Sequence, residues 1–211
     1  VPVLYLVVPC YNEEEVIEKS AQVLSDKIRR LMEAGQIAHG SKVMFVNDGS
    51  KDRTLELLHR IAAQDTIFSV VSLAGNYGHQ SAILAGMMTA RKYADAVVTI
   101  DADLQQDIEA LDKFLNSYMA GSEVVYGVRN DRHSDGVFKK GSATLYYNLM
   151  HLLGSKVITN HADYRLMSKK ALEALAEYKE TNLFLRGLIP TMGFPSDVVY
   201  FDVKAREAGH S

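Results

Sequence analysis

The chain has 211 residues, 47% hydrophobic and 23% charged, with a net charge of −3. That length fits a single domain with a substantial core. The acidic balance argues against general nucleic-acid binding. The only cysteine, Cys10, excludes an internal disulfide and suits a reducing compartment. No apolar run reaches the roughly 18 residues needed to span a membrane. Nor does the N-terminus carry a basic segment followed by a signal-like apolar region. Because the chain starts at Val1 and stops at Ser211, it is expected to be a domain excised from a longer protein.

Val3 to Val8 is a first apolar strand, ended by Pro9, which cannot donate to a ladder. Asn12 is placed as the N-cap of the helix that follows, with Glu13, Glu14 and Glu15 in its first turn. Ile17, Ala21, Leu24, Ile28 and Leu31 then recur at helical spacing until Gly35. Lys42 to Val46 is a second strand running into Asn47-Asp48-Gly49-Ser50, and a helix capped by Ser50 or Asp52 follows to about Ala63. Phe68 to Leu73 is a third strand, Gly75 to Gly78 a turn, and His79 to Tyr93 a helix.

The fourth strand carries the chemistry. Val97 to Ile100 is a β-branched run of the kind buried in parallel sheets, and it leads directly into Asp101-Ala102-Asp103-Leu104-Gln105. Ligands of open α/β sheets bind outside the carboxyl ends of the strands. Carboxylates at that edge suit magnesium, which is held by one or two of them together with substrate phosphates. The plainer reading is that Asp101 or Asp103 caps the next helix.

Asp107 to Met119 is that helix and Glu123 to Val128 a further strand. The polar, periodless segment Arg129 to Lys140 carries Arg129, Arg132, His133, Lys139 and Lys140. It reads either as solvated charge or as a mobile loop that closes over a diphosphate. Gly141 to Leu153 is helical, Asp163 to Met167 a short strand, and Ser168 to Glu177 a helix. Leu183 to Met192 is apolar nearly all round, and Val198 to Val203 is a closing strand.

Repeated strand, turn and helix indicate an α/β fold with a mainly parallel central sheet flanked by helices, in one domain over residues 1–211. Right-handed crossovers put the turns after strands one, two and four on one edge. Pro9 to Glu14, Asp48 and Asp101 to Gln105 then converge. No Gly-x-Gly-x-x-Gly follows the first strand and no Walker A pattern occurs. A Ser nucleophile elbow and a zinc-spaced His/Cys cluster are also missing. A cation with a diphosphate is the chemistry left, with Asp48 either bonding a base or ribose or simply capping its turn.

On these residues the chain resembles the family 2 glycosyltransferases, in particular polyprenyl-phosphate (bactoprenol) glucosyltransferases and dolichol-phosphate mannosyltransferases. The likeness lies in Pro9-Cys10-Tyr11-Asn12-Glu13-Glu14, in Val46 to Thr54, in Asn76-Tyr77-Gly78-His79-Gln80 and in Asp101 to Gln105. It continues through Tyr126-Gly127-Val128-Arg129, Asp163-Tyr164-Arg165-Leu166 and Phe184-Leu185-Arg186-Gly187-Leu188. The chain departs from the family at Ala74-Gly75, where members often carry Arg, and at Gln106-Asp107-Ile108-Glu109, where they often have Asp-Pro-Pro-Glu.

The resemblance implies a GT-A nucleotide-diphospho-sugar transferase fold and metal-dependent, inverting hexose transfer to a polyprenyl phosphate from a donor of the UDP-glucose or GDP-mannose type. Pro9, Tyr11, Asn12, Glu13 and Asp48 would hold the nucleoside, and Asp101 the ribose or a metal-bound phosphate. Asp103 and Gln105 would ligate Mg2+ or Mn2+. Arg129 and Arg132 would meet diphosphate or acceptor phosphate, and Asp163 and Arg165 would lie beside sugar and acceptor. Relatives continue past the Arg206 region into amphipathic and membrane helices. The full-length protein is therefore expected at the cytoplasmic face of a membrane, with a homo-oligomer left open. Three competing readings are a saccharide-hydroxyl acceptor with Asp163 as base, a nucleotidyltransferase, and an inactive donor-binding scaffold for a membrane partner.

Overall fold

In the computed structural model, residues 1–130, 161–178 and 184–203 are described. The strands are β1 (Leu4–Cys10), β2 (Lys42–Asn47), β3 (Phe68–Ser72), β4 (Ala96–Thr99), β5 (Val124–Arg129), β6 (His161–Ser168) and β7 (Ser196–Phe201). The helices, in chain order, are α1 (Ile17–Glu33), α2 (Thr54–Gln64), α3 (His79–Ala90), α4 (Ala110–Met119), α5 (Lys169–Ala176) and α6 (Leu185–Thr191). All seven strands form one sheet in the order β3-β2-β1-β4-β6-β5-β7.

Only β6 runs against the rest, antiparallel to both β4 and β5, so the sheet is mainly parallel as expected. The chain steps outward from β1 through β2 to β3 and then returns to place β4 on the other side of β1. That reversal makes the carboxyl ends of β1 and β4 a switch point, where α/β sheets open a crevice for ligands. The backward run of β6 has its own consequence. It enters the sheet at the edge where β4 leaves, and its first residues therefore lie beside the crevice.

Both faces of the sheet are covered. Leu6, Val8, Phe45, Val98 and Leu166 pack under α1, α2 and α4. Val7, Val46, Val97 and Met167 pack against Ala82, Ile83 and Met87 of α3, Leu172 of α5 and Leu185 and Ile189 of α6. The contact of α3 with β1 and β2 is close. A Cβ at Gly86 would stand 2.4 Å from Val7 Cγ1 and 2.8 Å from Val46 Cγ2, nearer than real side chains approach.

Several boundaries differ from the sequence reading. Pro9 does not end β1: the strand runs to Cys10, with Pro9 in register with Val46. In a parallel ladder successive residues bond to opposite neighbours. Cys10 C=O accepts from Asp48 on the β2 side, whereas Val7 C=O accepts from Ile100 on the β4 side. Pro9 shares the parity of Val7, so its missing donor faces β4 beyond that strand's end at Thr99, where no bond is lost.

Asn12 is not the N-cap of α1, which begins at Ile17 after Val16. Its backbone is left-handed, at φ 53°, and its Oδ1 accepts from Lys51 N at 2.8 Å. Asp52 does serve the start of α2, accepting from Thr54 N at 2.9 Å. Neither Asp101 nor Asp103 caps α4, which starts at Ala110. Of the expected loop Arg129 to Lys140, only Arg129 and Asn130 fall within the described residues. The expected helix Gly141 to Leu153 lies outside them.

Candidate active site

The turns after β1 and β2 are tied to each other by their own polar groups. Asn12 N donates to Ser50 Oγ at 3.1 Å and Glu13 N to Thr54 Oγ1 at 2.8 Å. Glu14 N donates to Asp52 Oδ2 at 3.2 Å, and Arg53 N returns a bond to Glu14 Oε2 at 3.0 Å. Such loop-to-loop bonds fix the strand-end turns that sheet packing alone leaves free. Asp48, buried at the end of β2, accepts from Tyr77 N at 2.7 Å and from Gly78 N at 2.9 Å. It thereby anchors the turn before α3.

The result is a cavity of about 310 Å³ at the switch point. Pro9, Tyr11, Glu13, Asp48, Asp101 and Asp103, all expected at the site, line it, together with Asn76, Gly78 and His79. In the turn Asp101 to Gln105, Leu104 takes a left-handed backbone at φ 51°, unusual for a bulky side chain. Its Gln105 N donates to Asp103 Oδ1 at 3.2 Å. The two non-glycine residues with positive φ among the described residues, Asn12 and Leu104, thus both sit in turns of this site.

The structure adds groups that the sequence reading did not single out. Gln106 is buried and grips Asp101 twice, accepting from Asp101 N at 3.2 Å and donating from Nε2 to Asp101 Oδ2. His79 Nε2 lies 3.5 Å from Asp101 Oδ1 and 3.5 Å from Asp163 Oδ2. Gln80 Nε2 donates to Asp163 Oδ2 at 2.9 Å. Arg186, on α6, reaches the same carboxylate twice, Nε to Oδ1 at 3.1 Å and Nη2 to Oδ2 at 2.8 Å. Arg165 is itself 2% exposed and donates from Nη2 to Asp163 Oδ1 at 2.9 Å.

Asp163 is therefore a hub rather than a free acid. Burial by itself pushes its pKa up. The bonds from His79 and Arg186, the charge of Arg165 and the bond from Gln80 outweigh that and hold it well below the usual carboxylate range. Asp101 moves the other way, raised chiefly by desolvation. His79 is raised above its ordinary value, first by its interaction with Asp163 and then by the charge of Asp101, against the lowering effect of burial.

The remaining expected residues are distributed unevenly. Asn12 braces the loops and is not part of the cavity wall. Arg165 is buried behind Asp163 and cannot reach a substrate in this arrangement. Arg129 is exposed at the end of β5, on the same sheet edge, while Arg132 lies outside the described residues. Gln105 is half-buried next to Asp103. No cluster of three or more His, Cys, Asp or Glu with metal-holding geometry occurs among the described residues. An all-protein cage is therefore absent there. One carboxylate and one amide oxygen still match a hard cation that draws its other ligands from phosphate and water.

Comparison with known proteins agrees with this geometry. The family model described as glycosyl transferase family 2 matches residues 5–176. The chain is 48% identical over 208 residues to the glycosyltransferase YkoT of Bacillus subtilis, covering 99% of this chain and 62% of that protein. It is 35% identical over 207 residues to the bactoprenol glucosyl transferase of Shigella phage SfV, covering 98% of this chain and 65% of that one. It thus spans somewhat under two thirds of these relatives. Among solved structures, the mannosyltransferase PcManGT of Pyrobaculum calidifontis, in complex with GDP-Man and Mn2+, superposes with a TM-score of 0.61 at 20% identity. That match covers 99% of this chain and 58% of the other. With the family model spanning β1 through α5 and a GT-A fold beneath it, the chain belongs to glycosyl transferase family 2.

Proposed function

We propose that the protein transfers a hexose, with inversion, from a nucleotide-diphospho-sugar to a polyprenyl phosphate. The observation that carries this reading is the switch-point cavity, which gathers Pro9, Tyr11, Glu13, Asp48, Asp101 and Asp103 from three separate strand ends. Tyr11, 38% exposed, offers a ring face for a base to stack on. Asp48 has lone pairs left beyond its two backbone bonds with which to accept from the base or ribose. Asp101 then meets the ribose or a metal-bound phosphate. Asp103 with Gln105 would hold Mg2+ or Mn2+, which when bound supplies positive charge opposite the donor diphosphate.

The chemistry is a displacement at the anomeric carbon. An acceptor oxygen forms the new C–O bond on the face opposite the diphosphate, and the bond to the diphosphate oxygen breaks, which inverts the centre. An acceptor phosphate monoester, with second pKa near about 6, is already largely ionised at neutral pH and needs no base. A hydroxyl acceptor would need one. The low basicity of Asp163 makes it poorly suited to that task, which favours the phosphate acceptor. The bactoprenol glucosyl transferases among the relatives support the same choice.

We also place the full-length protein at the cytoplasmic face of a membrane, where a lipid phosphate resides. No helix among the described residues is long and apolar enough to cross one. Leu185 and Ile189 of the apolar segment before β7 are core, but Phe184 is 69% exposed and Tyr178 42%. Such rings suit an interface. Leu183, at the start of that segment, lies outside the described residues.

Thermal-shift and calorimetric titration with UDP-glucose and GDP-mannose, with and without manganese, tests the donor half of this reading. One of the two should bind, more tightly with the metal. Absence of binding to any nucleoside diphosphate would remove the proposal.

A further inference from the structure

One carboxylate, Asp163, holds two guanidiniums, Arg165 and Arg186, with the His79 imidazole 3.5 Å away. The Asp163–Arg165 pair is buried, its side chains 5% and 2% exposed, and engages only Nη2 of Arg165, leaving the buried Nη1 without a hydrogen-bond partner. Arg186 is a second guanidinium on the same carboxylate, and its side chain, like that of His79, remains 47% exposed. The second guanidinium and the imidazole are thus two half-exposed groups whose orientation is set from behind by one fixed acid. A guanidinium held by a fork at two nitrogens keeps its remaining donors aimed in one direction.

His79 belongs to the wall of the nucleotide cavity, whereas Arg186 stands across Asp163 on α6. Acids dominate the cavity end, at Glu13, Asp48, Asp101 and Asp103. The Arg186 guanidinium stands at the other end. A donor diphosphate with its metal suits the acidic end; a second anion suits the basic one.

We propose that Arg186 and His79, held on Asp163, form a second anion subsite beside the nucleotide cavity, and that it takes the phosphate monoester of the acceptor. This rests on the glycosyl-transfer reading above and deepens it. Asp163 and Arg165 act as positioning residues, and Gln80 steadies the same carboxylate from the first turn of α3.

The test is calorimetric titration of the protein, saturated with UDP or GDP and manganese, with farnesyl phosphate, inorganic phosphate and farnesol. Farnesyl phosphate should bind and farnesol should not. In Arg186→Gln the phosphate affinity should fall by about tenfold or more, as expected for loss of a charge-assisted pair, while nucleotide affinity changes less than about twofold. A parallel loss for inorganic phosphate would also support the subsite and assign its recognition to the phosphate alone; binding of farnesyl phosphate only would add the lipid chain. If Arg186→Gln does not fold, Arg186→Lys keeps the charge, loses the fork and should still weaken phosphate binding. Unchanged phosphate affinity in the variant that folds, or equal loss of nucleotide and phosphate, overturns the proposal. Failure of the wild-type protein to bind any nucleotide would instead overturn the donor reading on which it rests.

Discussion

Asp48 holds the turn before α3 by both carboxylate oxygens, Oδ1 on Tyr77 N at 2.7 Å and Oδ2 on Gly78 N at 2.9 Å. The residue expected to meet the nucleoside is also the one that shapes the wall opposite it. Asp48→Ala should therefore do two things. It removes the acceptor of Tyr77 N and one of the two acceptors of Gly78 N, which also reaches Asn76 Oδ1 at 3.0 Å, and it lets Asn76 and His79 drift from the cavity. Nucleoside affinity should fall together with the unfolding midpoint. Loss of affinity with an unchanged midpoint would mean that the loop does not depend on Asp48.

The Asp103 carboxylate should matter only when metal is present. Asp103→Asn keeps an oxygen for the Gln105 N–H at 3.2 Å, so the turn itself should survive. The manganese-dependent gain in nucleotide-diphosphate affinity should vanish, leaving the weaker metal-free affinity. Calorimetry that finds equal manganese enhancement in variant and wild type would move the metal site elsewhere.

Gly49 follows Asp48 at φ 67°, and a Cβ there would lie 2.4 Å from Gly75 C and 2.6 Å from Asn76 N. These are backbone atoms that cannot swing aside. Gly49→Ala combines left-handed strain with overpacking and should cost about 2–4 kcal/mol. In a chain of this size that lowers the melting temperature by roughly 5–15 °C. A shift under a degree would show that the two turns separate easily.

The order of elements could be read from the sequence because each strand and helix announces itself by local periodicity. The convergence of Asp48 with Asp101 and Asp103 followed from one handedness rule applied to parallel strands. His79 and Arg186 fall in stretches that carry the family likeness and Gln106 in one that departs from it, yet none of the three takes a role from the sequence, for a physical reason. His79 reads as an ordinary first residue of a helix, and Gln106 as the neighbour of a more conspicuous glutamine. Arg186 reads as one charge in an apolar run. What gives them roles is Asp163, which reaches the crevice only because β6 runs backward beside β4, with Thr99 in register with Arg165. Periodicity does not report strand direction. Arg165, conversely, is expected beside sugar and acceptor from the family likeness alone, and its burial, at 2% exposure, is not visible in sequence.

His79 should leave a signature in the pH dependence of stability. Its folded pKa is raised, chiefly by Asp163, so its stabilising contribution is complete below the unfolded value near about 6.5. It is lost as pH rises through the folded pKa. Wild type should lose stability over that interval, and His79→Gln should lose less, with the two curves converging at higher pH. Urea unfolding at a series of pH values measures this. Parallel curves would show that the imidazole is not coupled to Asp163.

The final prediction separates the two acceptor chemistries. If Asp163 were a general base, Asp163→Asn would remove proton abstraction and leave acceptor binding largely intact, so kcat alone would collapse. As the hub described here, Asp163 supplies both oxygens to Arg186 and a charge to Arg165 and His79. The amide can accept from only one side and adds an N–H that points at a guanidinium. It also leaves Arg165 buried without its counter-charge, which costs about 3–5 kcal/mol when a buried pair is broken. Asp163→Asn should therefore lower the melting temperature and raise the KM for farnesyl phosphate, with Arg186→Gln showing the same KM change and a smaller loss of stability. The wild-type pH–rate profile should have no acidic limb assignable to Asp163, because that carboxyl stays ionised far below neutral pH. A variant that folds as wild type, binds acceptor normally and has lost only kcat would restore Asp163 as the base and point to a saccharide hydroxyl as the acceptor.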